Sequence, residues 1–418
     1  MPAIYDVDAD NVLLSLLLTP EGRANPYEHY RELRDIAPVL RSSFGPLVLS
    51  RYDDCLEALR DRRLGRGTAL RAAGETAALG FVGLDADPER RQAFFERAGD
   101  NMLFADPPDH TRLRRLVGRA FTPQRVEALR PAVEAIVDSY VDTMIDAGEV
   151  DVMTALAFPL PVTVIGELLG VPTADRAGFQ PLVRAAVAGL DPASDPDLLG
   201  AAITAMDNMR LYFADLVTQR RRAPADDLLT ALVAARDAGD ALSEGEVVAT
   251  AILLFAAGFE TTTNLIGNGL LALLQHPDQL QRWRQTPDMA RSAVEELLRW
   301  DSPVQLNMRT ALEPADVAGE PVARGEAVVV LQGSANRDPA RFAEAERFDL
   351  SRIDNAPISF GAGIHHCLGA TLARMEGAVT FNAMLRRCRS IEPLTDEPTW
   401  RPTFTLRGLG SLPVAVAP

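Results

Sequence analysis

The chain has 418 residues, 47% of them hydrophobic, which suffices for a large core and is too apolar a composition for a disordered protein. Forty-two cationic residues, all of them Arg, stand against 58 acidic ones, and the formal charge of -16 argues against a nucleic-acid partner because a phosphate backbone repels such a surface. Three cysteines, Cys55, Cys367 and Cys388, lie far apart with no C-x-x-C pair, so neither a disulfide framework nor a cysteine-rich zinc site is expected.

In chain order, the apolar run from Val12 to Leu18 falls well short of the ~20 residues that span a bilayer, and no cation precedes Arg23. These features predict a cytoplasmic protein with no membrane partner. Apolar residues recur at three and four positions near Pro26 to Asp35, Tyr52 to Leu59, Pro123 to Ala147, Leu160 to Leu169 and Asp197 to Arg220, which predicts helices. The stretches Gly65 to Met102 and Ala188 to Asp197, rich in Ala and Gly or in Asp and Pro, are expected to be mobile loops shaping a substrate entrance. Short runs at Pro46 to Ser50, Asp316 to Ala318, Ala327 to Leu331 and Leu412 to Ala417 predict strands too few for a large sheet. With no repeat and no long linker, residues 1–418 are expected to form one domain, mainly α with small β-sheets near both ends.

Asp106-Pro107-Pro108-Asp109-His110 leads into a helix on which His110 and Arg114 share a face. Arg112, Arg115 and Arg119 mark another face, a basic spot where an acidic protein could dock. A capping box, Ser243 with Glu246, starts a long apolar helix that His276-Pro277 stops. Its middle, Ala257-Gly258-Phe259-Glu260-Thr261-Thr262-Thr263, breaks the rule that such an interior avoids acids and runs of Thr, and Thr261 is expected to return its hydroxyl to the Ala257 carbonyl. Pro287 begins a helix to about Trp300, with Glu296 and Arg299 three apart.

The most informative segment is Phe360-Gly361-Ala362-Gly363-Ile364-His365-His366-Cys367-Leu368-Gly369, followed by an amphipathic helix. A cysteine opening a helix meets free N–H groups and partial positive charge, which favour thiolate over thiol and suit a metal ligand or nucleophile. Gly361, Gly363 and Gly369 clear side chains from around the sulfur, so that the backbone can turn tightly and a flat macrocycle can lie close by. A buried structural cysteine is the plainer reading, but three glycines and a histidine in one frame weigh against it. His365, His366 and Cys367 are too crowded for a tetrahedral zinc site.

This segment resembles the haem-binding signature of the cytochrome P450 family, F-G-x-G-x-H-x-C-x-G, at every fixed position, and the likeness extends over most of the chain. The resemblance implies that haem b (iron protoporphyrin IX) is the cofactor, with Cys367 the axial iron ligand and Phe360, Gly361 and Gly369 cradling the haem. His110, Arg114, Arg309 and His365 take the positions of propionate partners. Thr261 and Glu260 take those of the oxygen-steadying alcohol and the proton-relay acid. Glu296 and Arg299, completed by Arg347, form a structural network behind the cysteine loop, although Ala345 stands where Pro is usual. Pocket positions fall on Phe255, Phe259, Val304, Leu306 and Leu409, with Gln305 as a polar anchor. The expected activity is a monooxygenase that takes electrons from a separate ferredoxin and ferredoxin reductase, with no fused flavin or nicotinamide domain, and hydroxylates or epoxidises an apolar small molecule with O2. Alternatives are desaturation, phenol coupling or peroxide-driven oxidation on the same haem-thiolate, or a haem-bound sensor without turnover.

Overall fold

The computed structural model describes residues 6–67, 81, 84, 87–98, 101–191, 195–237 and 240–418. Helices dominate it, and the longest, Glu244–Gln275, runs through the interior. It begins at the predicted capping box, with both reciprocal hydrogen bonds present, and ends before His276-Pro277. By length and apolarity this helix could cross a membrane, yet it is the buried core element of the fold. Around it pack Pro159–Leu169, Thr173–Ala188, Pro196–Arg222, Ala290–Trp300 and Ala370–Arg387. Gly269 permits one of these approaches, since a Cβ there would lie 2.8 Å from Phe381 and 2.9 Å from Leu297.

The amphipathic periodicity places the predicted helices closely: Pro26–Ile36, Tyr52–Arg60, Pro159–Leu169 and Pro196–Arg222. The expected helix over 123–147 is two, Pro123–Ala128 and Arg130–Ala147, because Pro131 withholds an N–H near the junction. The apolar run Val12 to Leu18, noted above only for its shortness, is part of the helix Val7–Leu18, capped by Asp6, whose side chain accepts from the Asp8 and Ala9 N–H groups.

The strands form a five-stranded sheet ordered Val39–Arg41, Leu47–Leu49, Ala327–Val330, Asn307–Ala311, Leu64–Gly65. Its one parallel pairing, Val329 opposite Val48, joins the N-terminal part of the chain to the segment before the cysteine loop. A three-stranded sheet joins Ser390–Pro393, Pro413–Ala417 and Glu149–Asp151, and a small hairpin pairs Thr399–Trp400 with Leu409–Ser411. Of the two expected loops, the first contains a helix, Pro88–Ala98, with Arg91, Phe94 and Phe95 buried. The second is cut short by helix Pro196–Arg222, capped by Asp195. Their remaining residues 68–80, 82–83, 85–86, 99–100 and 192–194 lie outside the described ones.

Candidate active site

Cys367 stands between a single 3-10 turn, Gly363–His365, and the helix that starts at Ala370. Its N–H donates to the Phe360 carbonyl at 2.9 Å, closing the loop on itself. Gly361 and Gly363 both sit at φ +67°, a region costly for any residue with a Cβ, and a Cβ at Gly363 would also collide with the Leu59 carbonyl. At Gly369 an added Cβ would meet nothing within 4 Å, and Gly369 lines the same cavity as the sulfur. Cys55 and Cys388 are buried, and Cys367 alone is open. The opening faces inward, onto a cavity of about 410 Å³ that Cys367 lines together with Phe360, Leu368 and Gly369.

The backbone N–H groups of Gly369 and Ala370 point at the sulfur, and Arg114 and Arg374 lie near it, all favouring thiolate. Burial nonetheless outweighs them and pushes the thiol's pKa up, contrary to the preference for thiolate drawn from the helix start alone. A metal cation at the sulfur would supply the missing positive charge.

Across the cavity runs the central helix. Thr261 donates its hydroxyl to the Ala257 carbonyl at 2.8 Å, as its sequence context predicts, and Thr261, Ala257 and Gly258 all line the cavity. Glu260 does not. Its carboxylate is wholly buried and ion-paired with Arg401, outside the cavity wall.

At one edge of the cavity His110 and His365 stack with ring centroids 4.3 Å apart. Both ring nitrogens of His110 and Nε2 of His365 are buried without a partner. Burial first, and neighbouring guanidiniums second, lower the pKa of both rings. Arg114 lines the same edge and donates to the His366 carbonyl at 2.7 Å. Arg66, unmarked in the sequence, lines it too, its guanidinium reaching the Met308 carbonyl at 2.9 Å and its pKa lowered to about 10 by burial. Arg309 is buried and bonded to Asn307 and to the Met308 carbonyl, and is not part of the cavity wall. Orphaned ring nitrogens beside buried guanidiniums call for anionic acceptors, and the two carboxylates of a haem meet that need. With an open sulfur on one wall and an apolar helix on the other, the residues present fit a haem.

Behind the cysteine loop, Glu296 and Arg299 are completely buried and joined by two hydrogen bonds, at 2.7 and 2.8 Å. The expected third member, Arg347, is a correction. Its side chain is 59% exposed and pairs with the exposed Glu344, and only its backbone carbonyl meets Arg299. Arg352 reaches Glu296 instead, at 3.3 Å, because the chain turns back after residue 344 and brings the later arginine inward. Asn355 and the Asp349 N–H complete the acceptor's shell, at 3.1 and 2.9 Å.

Among the pocket positions, Val304 and Leu306 line the cavity. Phe255 and Phe259 do not: four residues apart, they share the opposite face of the helix and pack on Phe179, Phe213 and Phe158. Leu409 is buried in the hairpin strand against the far side of the helix, near Gly267. Gln305 is no anchor either, since it accepts from the Tyr30 hydroxyl at 2.7 Å and donates to the Ser302 carbonyl at 2.6 Å. The wall is built instead by residues the sequence did not mark, among them Phe94, Phe95, Met102, Phe104, Leu190 and Met206. Phe94, Phe95, Met102 and Leu190 fall within the segments set aside as loops, where their apolar character was the signal, whereas Phe104 follows the first of them and Met206 lies in the expected helix Asp197 to Arg220. On the outer surface, Arg115 and Arg119 are exposed, while Arg112 is tied to Glu246 and Asp240.

A family model described as cytochrome P450 matches residues 204–413. Cytochrome P450 107B1 of Saccharopolyspora erythraea is 41% identical over 94% of this chain and 95% of its own. The 6-deoxyerythronolide B hydroxylase of the same organism is 39% identical over 93% of this chain and 95% of its own. The solved cytochrome P450 PksS of the Bacillus subtilis bacillaene polyketide synthase superposes with a TM-score of 0.83 at 38% identity, covering 96% of this chain and 99% of that one. The chain belongs to the cytochrome P450 family, and is a haem-iron monooxygenase that uses O2 on a small-molecule substrate.

Proposed function

We propose that the protein oxidises an apolar secondary metabolite, by hydroxylation or epoxidation, using haem b and electrons from a ferredoxin and its reductase in the bacterial cytoplasm. The observation that carries this is that Cys367 and Thr261 line one cavity whose other lining is largely aromatic and aliphatic. When bound, the haem supplies a thiolate-ligated iron that activates dioxygen for attack on C–H or C=C bonds. Cys367 would hold the iron, and His110, His365, Arg114 and Arg66 would meet the propionates. Thr261 presents a hydroxyl to the oxygen side, Glu260 on the same turn is the proton source, and the apolar wall keeps bulk water away. Phe94, Phe95, Leu190 and Leu306 select and orient the substrate by shape. Relatives named for polyketide biosynthesis and for 6-deoxyerythronolide B support a macrocyclic or extended polyketide. Titration of the holoenzyme with 6-deoxyerythronolide B and with long-chain fatty acids, read by the low-to-high-spin shift, tests the class. The expected result is a shift and NADPH-driven incorporation of one atom from labelled dioxygen with surrogate ferredoxin and reductase. Steady turnover that bypasses ferredoxin and O2 would contradict the reading.

A further inference from the structure

Glu260 has a partner in a part of the chain that no motif marks. Arg401, whose side chain is 10% exposed, pairs with its wholly buried carboxylate. Arg401 opens the 401–408 loop of the C-terminal hairpin, and its N–H donates to the Gly408 carbonyl at 3.0 Å. Gly408 abuts Asn264 so closely that a Cβ would collide with its side-chain amide, and Asn268 donates to the Arg407 carbonyl at 3.1 Å. Residues 260, 264 and 268 recur every four positions, so the hairpin is fastened along one stripe of the central helix. The other flank of the same loop, Thr405 and Leu406, lines the cavity, with Leu406 bridged to Val304.

A second guanidinium waits nearby. Arg184 lies 3.8 Å from the centroid of the Phe158 ring, and Arg401 lies 6.0 Å from the same centroid. Among the described residues Arg184 has no carboxylate partner. Burial first, and Arg184 second, lower the pKa of Arg401 to about 10. A buried carboxylate that left one cation with no other in reach would carry an uncompensated charge. Here a second cation lies against the same Phe158 ring as the first.

We propose that Arg401 is the positioning residue for Glu260, holding the acid outside the cavity, and that loop 401–408 makes this hold answer to whatever presses on Thr405 and Leu406. The inference rests on Glu260 being the proton source in the reading above. While paired with Arg401, the carboxylate is turned away from the cavity that Thr261 faces. Displacement of the loop frees it, with Arg184 as the alternative counter-charge, and the acid then stands next to Thr261 in sequence and on the same turn.

The test uses holoenzyme carrying Arg401→Gln or Arg401→Lys beside the wild type. Substrate-free oxygen consumption, driven by a surrogate ferredoxin and reductase, is expected to rise about tenfold in Arg401→Gln with an altered pH profile, and to fall back in Arg401→Lys. Infrared difference spectra against Glu260→Gln are expected to show the Glu260 carboxylate stretch displaced in Arg401→Gln, and displaced in the wild type when phenylimidazole fills the cavity. An unchanged rate and pH profile in Arg401→Gln overturns the positioning role, and a wild-type band indifferent to phenylimidazole overturns the link to the cavity wall. If Arg401→Gln does not fold, Arg401→Met decides: it keeps the length of the side chain and removes its charge, so an unmoved carboxylate stretch there is equally fatal. Failure of the underlying haem-thiolate reading shows separately, as a wild-type carbonyl spectrum without the red-shifted band.

Discussion

Two buried carboxylates flank the segment that carries Cys367, and the protein treats them oppositely. Glu296 accepts from Arg299, Arg352, Asn355 and the Asp349 N–H. Glu376, on the helix after Cys367, lines the cavity with Oε2 unpartnered, and burial pushes its pKa up to about 8. The first environment is saturated and belongs to the scaffold. The second is open, as are those of His110 and His365, and such unsatisfied buried groups mark where another molecule completes the structure.

The contrast is sharpest at Glu296. Replacing it by Ala strands Arg299 and Arg352 and is expected to cost about 3–5 kcal/mol, read as lost haem-bound yield and a lowered Tm. Arg352→Ala should cost roughly 2 kcal/mol by the same measurement, whereas Arg347→Ala should stay within about 0.5 kcal/mol. Equal effects of the two arginines would restore Arg347 to the network.

On the open side, Thr261→Ala is expected to lower product formed per NADPH by about tenfold or more, with hydrogen peroxide accounting for the lost electrons. Unchanged coupling would remove Thr261 from proton handling.

Glu376 predicts a pH effect. Its folded-state pKa, about 8, is raised above the 4.5 ordinary for a glutamate, so between those values the native state holds a proton that the unfolded chain has released. Stability from this group is therefore present at low pH and lost as pH rises towards 8. Glu376→Gln should flatten thermal stability between about pH 5 and 8 and raise it at the upper end by as much as a few kcal/mol. A variant curve parallel to the wild type would place the acid in a solvated or paired setting.

The smallest expected effect is on the surface. Arg115→Glu with Arg119→Glu should raise the ferredoxin concentration for half-maximal turnover about threefold at low salt, and unchanged kinetics would move the docking site elsewhere.

The cysteine loop and the central helix were legible because local chemistry dictates them: glycines at positive φ, a capping box, and a Thr bonded one turn back. Residues that meet only through tertiary folding were not. Arg352 supplants Arg347 because the chain turns back after residue 344, and Arg401 reaches Glu260 across 141 positions of sequence. Phe255 and Phe259 show a subtler limit, since family position named the right helix but helical phase faces them to the core. The aromatic wall was hidden in segments whose Ala and Gly content suggested loops, where helix Pro88–Ala98 instead buries Phe94 and Phe95.

The account depends most directly on the bond between the Cys367 sulfur and haem iron. The carbon monoxide difference spectrum of the reduced protein, wild type beside Cys367→Ala, measures it. The strongly red-shifted Soret band should appear in the wild type and vanish in the variant, and a band retained by Cys367→Ala would show that another residue ligates the iron.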